Sequence, residues 1–96
     1  MPRVEDPTLE TLRRDIDAID DQILELVAAR VRKVLALGAH KRSRSMSIYD
    51  PERERRVLER LCARAPAPLT KGTVRRVFER LIDESRTLEQ HDTGRR

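Results

Sequence analysis

Two cations stand where the apolar face of a helical segment should continue. Apolar residues recur at steps of three and four between Leu9 and Leu26, the spacing that places side chains on one face of an α-helix. Continued at similar steps, this face reaches Arg30 and Lys41. Eleven residues of helix bring the two cations back to nearly the same azimuth, about 16 Å apart along the axis. Two long cationic side chains in this arrangement can converge on one anion.

Two further segments carry polar groups on faces that their apolar residues would bury. Asp50, Arg53 and Glu54 lie at helical spacing, with Glu54 one helical step before the next apolar residues. Near the C-terminal end, an apolar face leads at successive turns to Ser85 and Glu89. A hydroxyl and a carboxyl four residues apart on one face can both point toward a ligand.

Each of these patterns also has an ordinary structural explanation. Arg30 and Lys41 can extend to solvent, or Arg30 can pair with a buried acid. The charges of residues 52–56 are typical of a solvated ladder of helix ion pairs, and Ser85 and Glu89 of the end of an amphipathic helix. A shared site is favoured because all three faces carry such groups, and a ligand supplies the partners that buried polar groups require.

Arg13 suggests that such a site takes residues from two chains. It follows the apolar Leu12 and lies seventeen residues before Arg30, which is about 25 Å along one helix. No small ligand can contact both arginines of the same helix. If Arg13 serves this kind of site, it must reach the pocket of a partner chain across an antiparallel dimer.

Three helices have to position these residues. The first opens at Asp6, an N-cap acceptor followed by proline, the second at Asp50 in the same way, and Thr70 can cap the third. The predicted spans are about 7–41, 51–64 and 71–90, joined by a serine-rich loop at 42–49 and a proline break at 65–68, with a polar, frayed tail after 90. We expect the loop to be a linker rather than a lid.

The predicted fold class is all-α, with one long and two short helices per chain in an intertwined homodimer. A helix of about 35 residues is roughly 50 Å long, and the two shorter helices cannot cover its apolar face, so a second copy of the chain is the simplest cover. At 96 residues the chain forms one domain at most and buries little surface alone.

Composition narrows the classes of partner without choosing among them. The net charge of +4 suits an acidic partner, which can be a nucleic acid, an anionic membrane or a small anionic metabolite. With one cysteine, Cys62, no intrachain disulfide forms, and a buried thiol is expected. His40 and His91 lack neighbours at metal-ligand spacing. No apolar run resembles a membrane span or a signal peptide, so we expect a cytoplasmic protein.

The order and spacing of these residues resemble the all-helical class of chorismate mutases. The likeness covers about residues 9–90. It rests on the sequences Leu12-Arg13-x-x-Ile16-Asp17-x-Ile19-Asp20-x-x-Ile23-Leu24-x-Leu26, Arg30, Lys41, Asp50-Pro51-x-Arg53-Glu54 and Phe78-x-x-Leu81-Ile82-x-Glu84-Ser85-Arg86-x-Leu88.

The resemblance implies one chorismate mutase domain over residues 1–96, with a core at about 7–90 and polar tails. The expected reaction is the Claisen rearrangement of chorismate to prephenate, without cofactor, metal or covalent intermediate. Expected partners are the dicarboxylate substrate and a second copy of the chain, with neither nucleic acid nor membrane. The implied site consists of Arg30, Lys41, Asp50, Arg53, Glu54, Ser85 and Glu89 of one chain and the partner's Arg13.

The resemblance also implies roles that suit the chemistry of these side chains. The partner's Arg13 and Arg30 would clamp the two carboxylates, and Arg53 would help to hold that end of the pocket. Glu54 would accept a hydrogen bond from the ring hydroxyl. Lys41 would face the ether oxygen, where negative charge develops as the bond stretches, and preorganised groups of this kind contribute about 3 kcal/mol in comparable sites. Asp50 would serve as both helix cap and pocket wall.

Glu89 departs from the family pattern, because many members carry a glutamine whose amide donates a hydrogen bond to the ether oxygen. An ionised carboxylate cannot donate, so Glu89 would have to be protonated. Burial favours the protonated form and a nearby Lys41 disfavours it. We therefore expect higher activity at acidic pH, and a Glu89→Gln variant that loses this dependence.

Other functions remain open at this level. The same fold and cation clamp would suit an amino analogue of chorismate, since the Glu89 carboxylate can meet an ammonium group, or a pyruvate lyase acting on isochorismate. A catalytically weak subunit activated by docking on another shikimate-pathway enzyme is a further alternative. A basic helical dimer that binds nucleic acid is disfavoured, because acids interrupt the arginines and no aromatic platform is present. The arginines concerned are Arg42, Arg44, Arg53, Arg55, Arg56, Arg75 and Arg76.

Overall fold

The computed structural model describes residues 6–94, which form three helices and no strand. The helices are α1 (Pro7–Ser43), α2 (Pro51–Arg64) and α3 (Lys71–Gly94). The all-α prediction with one long and two shorter helices is confirmed. No helix in this part of the chain has the length and apolar character needed to cross a membrane. The chain divides into two units after Arg30, within α1, and each unit is described by itself.

The helix starts follow from side-chain caps, as the sequence predicts. Asp6 Oδ1 accepts hydrogen bonds from the backbone N–H groups two and three residues ahead, at 2.9 and 3.4 Å. Asp50 Oδ1 and Thr70 Oγ1 accept in the same way from the residues three positions ahead, at 3.0 and 3.1 Å. Each cap satisfies N–H groups that the helix itself leaves without a partner.

The end of α1 lies two residues beyond the predicted end, at Ser43 instead of Lys41. A double hydrogen bond closes the helix, with the Met46 N–H donating to Lys41 O at 2.8 Å and the Ser45 N–H donating to Arg42 O at 3.1 Å. This is a Schellman motif, and Ser45 occupies its left-handed position with φ of 56°. Glycine is the usual residue there, so the sequence carries no signal for this ending.

The third helix also continues past its predicted end. The frayed tail predicted after Gln90 was wrong over residues 91–94, which are helical. The last two residues, 95–96, lie outside the described part of the chain. Polar residues continue a helix when no glycine or proline interrupts it, and Gly94 is the first glycine after Gly72.

In the second unit, residues 31–94, α2 and α3 pack against each other. Val57 of α2 and Val74 of α3 are 8% and 6% exposed and form the small apolar core. Cys62 is half-buried, so the expectation of a buried thiol was wrong. Its Sγ lies 3.6 Å from Lys71 O, the carbonyl to which the thiol donates. The packing of α2 against α3 therefore includes a polar contact as well as apolar ones.

In the first unit, the apolar face of α1 lies in solvent. Its side chains are between 42% and 70% exposed, an unusual state for a row of leucines and isoleucines. The row consists of Leu9, Leu12, Ile16, Ile19, Ile23 and Leu26. Exposed apolar faces of this size are typical of surfaces that bind another chain.

Candidate active site

Lys41 lies in the last turn of α1, and its side chain is half-buried. The Schellman motif that ends the helix uses the carbonyl of Lys41, which fixes the backbone from which its side chain extends. A cation in the last turn is also favoured by the negative end of the helix dipole. The structure thus holds Lys41 on a well-defined helix end, as a positioned cation requires.

The start of α2 carries Asp50, Arg53 and Glu54 on one turn. Asp50 is half-buried and its Oδ1 accepts a hydrogen bond from the Arg53 backbone N–H, so its carboxylate acts as the helix cap. The Arg53 side chain is exposed in this single chain. The Glu54 side chain is 33% exposed. Of the three, Glu54 is the group that the fold places most firmly beside another helix.

Arg86 of α3 contacts Glu54 and two further residues near it. Its Nη2 donates a hydrogen bond to Glu54 Oε1, and its Nη1 lies 3.3 Å from Asp83 Oδ1 on the same helix. The guanidinium carbon lies 5.8 Å from the centre of the Tyr49 ring. The hydrogen bond with Glu54 is the main reason that the pKa of Arg86 rises above its ordinary value. The guanidinium therefore stays charged where it meets Glu54.

Ser85 is the most buried polar side chain of the described chain, at 3% exposure. Its hydroxyl donates a hydrogen bond to Leu81 O, one turn earlier, at 2.7 Å. This bond fixes the rotamer of the serine, because a hydroxyl bound to the preceding turn cannot rotate freely. Ser85 is adjacent in sequence to Arg86 and so belongs to the same turn of α3.

Glu89 lies against the backbone of α1 at Gly38. Gly38 is buried, and a Cβ atom built on it would meet the Glu89 carboxyl, with Cδ at 3.1 Å and Oε2 far inside the 3.0 Å that real Cβ atoms keep. Lys41 stands one turn after Gly38 on α1, and Glu89 one turn after Ser85 on α3. The glycine therefore lets a carboxyl approach the helix end that carries Lys41.

Further charges surround this contact. Arg42 Nη1 would lie 3.5 Å from the same Cβ position, and Arg42 Nη2 lies 4.0 Å from Asp92 Oδ2. Glu89 is half-buried among these groups. No three His, Cys, Asp or Glu side chains of residues 6–94 are close enough together to hold a metal ion.

The second unit thus brings together part of the predicted site. Contacts between helices place Glu54 beside the turn that carries Ser85, and Glu89 beside the end of α1 that carries Lys41. Arg13 and Arg30 belong to the first unit, where Arg13 is exposed and Arg30 half-buried. Their part in the site stays a prediction, as does that of the exposed Arg53.

The comparison with known proteins decides the family. The family model described as chorismate mutase type II matches residues 12–90. The chain belongs to this family.

Individual chorismate mutases support the assignment along the chain. The chorismate mutase of Methanocaldococcus jannaschii is 31% identical over 85 residues, which are 85% of this chain and 84% of that protein. The solved chorismate mutase of Thermus thermophilus (form II) superposes with a TM-score of 0.83 at 31% identity, covering 86% of this chain and 94% of that one.

Longer relatives contain a further activity. The bifunctional chorismate mutase/prephenate dehydratase of Pseudomonas aeruginosa is 32% identical over 90 residues, which are 85% of this chain and 24% of that protein. The first bifunctional relatives, from Aquifex aeolicus to Neisseria gonorrhoeae, are matched over only 15–24% of their length. The chain therefore spans about a quarter or less of these proteins.

Gly38 and Arg86 contact predicted site residues, and the sequence patterns did not identify either of them as part of the site. A glycine inside a helical pattern costs about 1 kcal/mol relative to alanine, so Gly38 stands out in the sequence as a position that a packing contact would explain. The pairing of Arg86 with Glu54 joins residues 32 positions apart on different helices. It depends on how α2 and α3 are rotated against each other, and no local pattern reveals that.

Proposed function

We propose that the chain catalyses the rearrangement of chorismate to prephenate. The observation that carries the proposal is the contact of Glu89 with Gly38, which brings a carboxyl of α3 to the end of α1 that bears Lys41. In a family of chorismate mutases, a cation and a protonated carboxyl that share one helix end would suit one developing negative charge. Family membership over residues 12–90 supports the same reaction.

The chemistry requires positioning and charge rather than a nucleophile. The ether C–O bond of chorismate breaks while a C–C bond forms within the same molecule, so no atom is gained or lost. Folding the substrate into its reactive conformer removes much of the entropic barrier. Lys41 Nζ and the protonated Glu89 carboxyl would both donate to the ether oxygen, on which negative charge grows in the transition state. These groups lower the barrier because they are in place beforehand.

At the other end of the substrate, Glu54 would accept a hydrogen bond from the ring hydroxyl, and Ser85 and Asp50 would line the pocket. The hydrogen bond from Arg86 suits Glu54 as a carboxylate, which is an acceptor with lone pairs on both oxygens. Arg30, Arg53 and the partner's Arg13 complete the proposal as the clamp for the two carboxylates. A clamp of arginines suits planar carboxylates, because the guanidinium donates two parallel hydrogen bonds.

A homodimer belongs to the proposal, since Arg13 can only act in trans. The exposed apolar face of α1 supports it, because burying such a row against an identical row removes apolar surface from water at about 25 cal/mol per Å². We also propose a cytoplasmic location, and docking on another shikimate-pathway enzyme as a further partner. The bifunctional relatives support a link between chorismate mutase and its pathway.

The test is the loss of chorismate absorbance with purified protein at pH 5 and pH 7.5, with the product identified by mass spectrometry. We expect prephenate at both pH values and a faster rate at pH 5, because the protonated form of Glu89 is the one that donates. A product containing free pyruvate would indicate a lyase. Absence of turnover at both pH values would contradict the proposal that this chain catalyses the reaction without another protein.

A further inference from the structure

We propose that Arg86 positions Glu54 and offsets its charge, so that the site accepts a neutral hydroxyl and rejects an ammonium group at the position that Glu54 contacts. Arg86 is thus a positioning and specificity residue. The inference rests on the proposed function, in which Glu54 contacts the ring hydroxyl of the substrate.

The guanidinium of Arg86 is held from three sides. Nη2 donates to Glu54 on α2, Nη1 lies 3.3 Å from Asp83 on α3, and the Tyr49 ring lies 5.8 Å from the guanidinium carbon. Tyr49 immediately precedes the cap residue Asp50, so Arg86 connects α3 to the N-terminus of α2. A side chain with three such contacts has one preferred position, and it transmits that position to Glu54.

The contact with Arg86 occupies only part of the Glu54 carboxylate. A carboxylate has about four lone-pair sites on its two oxygens, and Arg86 binds Oε1. The carboxylate thus keeps acceptor capacity, and its orientation toward a hydroxyl is fixed by the bond on the other oxygen. The guanidinium offsets the charge of Glu54, and the exposed Asp83, 3.3 Å from Nη1, offsets only part of the guanidinium's own charge. A hydroxyl donor therefore loses little by the presence of Arg86.

An ammonium group at the position of the hydroxyl carries a positive charge, so the charges of both Glu54 and Arg86 act on it. Its attraction to Glu54 is opposed by its repulsion from the guanidinium bound to that carboxylate. The side chains of Arg86 and Glu54 are 39% and 33% exposed, so solvent weakens this repulsion without removing it. The pair therefore favours chorismate over the analogue in which an amino group replaces the ring hydroxyl.

Arginine is needed for this arrangement because its planar fork binds two carboxylates in fixed directions. A lysine at position 86 keeps the positive charge, but its single ammonium cannot hold Glu54 and Asp83 with the same geometry or stack on Tyr49 in the same way. Arg86→Lys therefore separates charge from positioning, and Arg86→Met removes both.

The matched control is Arg80 on the same helix. Its guanidinium pairs at 2.8 Å with Glu84, one turn ahead, and its side chain is 77% exposed. Arg80→Met therefore removes the same charge and the same kind of ion pair without touching α2. Effects common to both positions come from net charge or helix stability.

The experiment measures kcat/KM for chorismate and for 4-amino-4-deoxychorismate with the wild type, Arg86→Met, Arg86→Lys and Arg80→Met. We expect Arg86→Met to lose about tenfold on chorismate and to shift the ratio of the two substrates toward the amino compound by about tenfold or more. Arg86→Lys should lose activity on chorismate with a smaller shift of the ratio. Arg80→Met should leave both values unchanged.

A merely structural role of Arg86 would lower both substrates alike, so an unchanged ratio in Arg86→Met overturns the inference. Dissociation constants for both compounds, measured by calorimetry, separate this failure from failure of the proposed function. If the wild type binds chorismate without rearranging it, the proposed reaction is wrong, and the ratio of dissociation constants still tests Arg86. If it binds neither compound, both proposals are overturned.

Discussion

Replacing Gly38 by alanine tests whether the position of the Glu89 carboxyl matters for activity. The added Cβ would fall within contact of three atoms, and Glu89 Oε2 would be far too close to remain where it is. Ordinary contact begins at about 3.4 Å, so the carboxyl has to move by about 1 Å or more away from α1. The backbone of α1 need not move, because the crowded atoms are the far end of a flexible side chain.

The two effects of Gly38→Ala differ in sign. Alanine is more favourable than glycine inside a helix by about 0.8–1 kcal/mol, so α1 gains stability. Turning Glu89 aside costs a rotamer change of about 0.5–1.5 kcal/mol. The free energy of unfolding should therefore change by less than about 1 kcal/mol. Catalysis is more sensitive, since a misplacement of about 1 Å can cost about 100-fold, and we expect kcat/KM to fall by that order.

The assay pairs chorismate kinetics with urea unfolding and size-exclusion chromatography, so that loss of activity is separated from loss of fold or assembly. Gly72→Ala is the matched control. Gly72 lies near the start of α3, and the nearest atoms to its added Cβ would be Arg76 Nη1 at 3.3 Å, Thr70 Oγ1 at 3.9 Å and Arg76 Cζ at 4.0 Å. This variant gains the same helix preference and should keep wild-type kcat/KM.

A Gly38→Ala variant with wild-type kcat/KM at pH 5 and pH 7.5 would refute the reasoning, because the carboxyl cannot stay in place beside the new methyl group. The Glu89→Ala background supplies a second check. With the carboxyl removed, Gly38→Ala should no longer change the rate, since its effect passes through Glu89. A further large loss in that background would show that the methyl group disturbs another part of the site.

Three other predictions concern pH, the end of α1 and the dimer. The wild type should gain activity as the pH falls from 7.5 to 5, whereas Glu89→Gln should make the rate nearly independent of pH, because an amide donates a hydrogen bond at both values. A pH profile of kcat/KM measures this. Retention of the wild-type slope in Glu89→Gln would contradict the role of Glu89. Ser45→Gly should raise the free energy of unfolding, measured with urea, by about 0.5–1 kcal/mol, because glycine adopts the positive φ of 56° without strain. Unchanged or reduced stability would show that Ser45 is not strained. If the proposed dimer forms, Ile19→Asp should make the protein monomeric in sedimentation experiments and abolish activity, because a charge in the apolar row of α1 cannot be buried there. An active monomer would exclude a site completed by the partner's Arg13.

The helix starts were predictable from the sequence, and the helix ends were not. Asp6, Asp50 and Thr70 bond to backbone groups two or three residues ahead, so a cap is a local property that the sequence displays. The end of α1 depends on Ser45 adopting a left-handed conformation, which serine rarely does. The extension of α3 to Gly94 follows from the absence of a helix breaker among polar residues.

The candidate site, like the helices, could be predicted from the sequence only in part. The spacing of Lys41, Glu54, Ser85 and Glu89 identified which side chains belong to apolar faces, because helical periodicity is local. Which of them meet was not contained in that spacing. The partners of Glu54 and Glu89 lie on other helices, and the packing of those helices decides them.

Glu54 and Glu89 show why the residues around a site matter as much as the site itself. Under the proposed function, one carboxyl has to remain an ionised acceptor, and the other has to be protonated so that it can donate a hydrogen bond. The bond from Arg86 gives Glu54 a cationic partner, and the missing side chain of Gly38 lets Glu89 reach the end of α1. Neither Arg86 nor Gly38 is proposed to contact the substrate. Lys41, Glu54, Ser85 and Glu89 alone would therefore not form the proposed site, because Glu54 would lack the bond that orients it and Glu89 could not lie against α1.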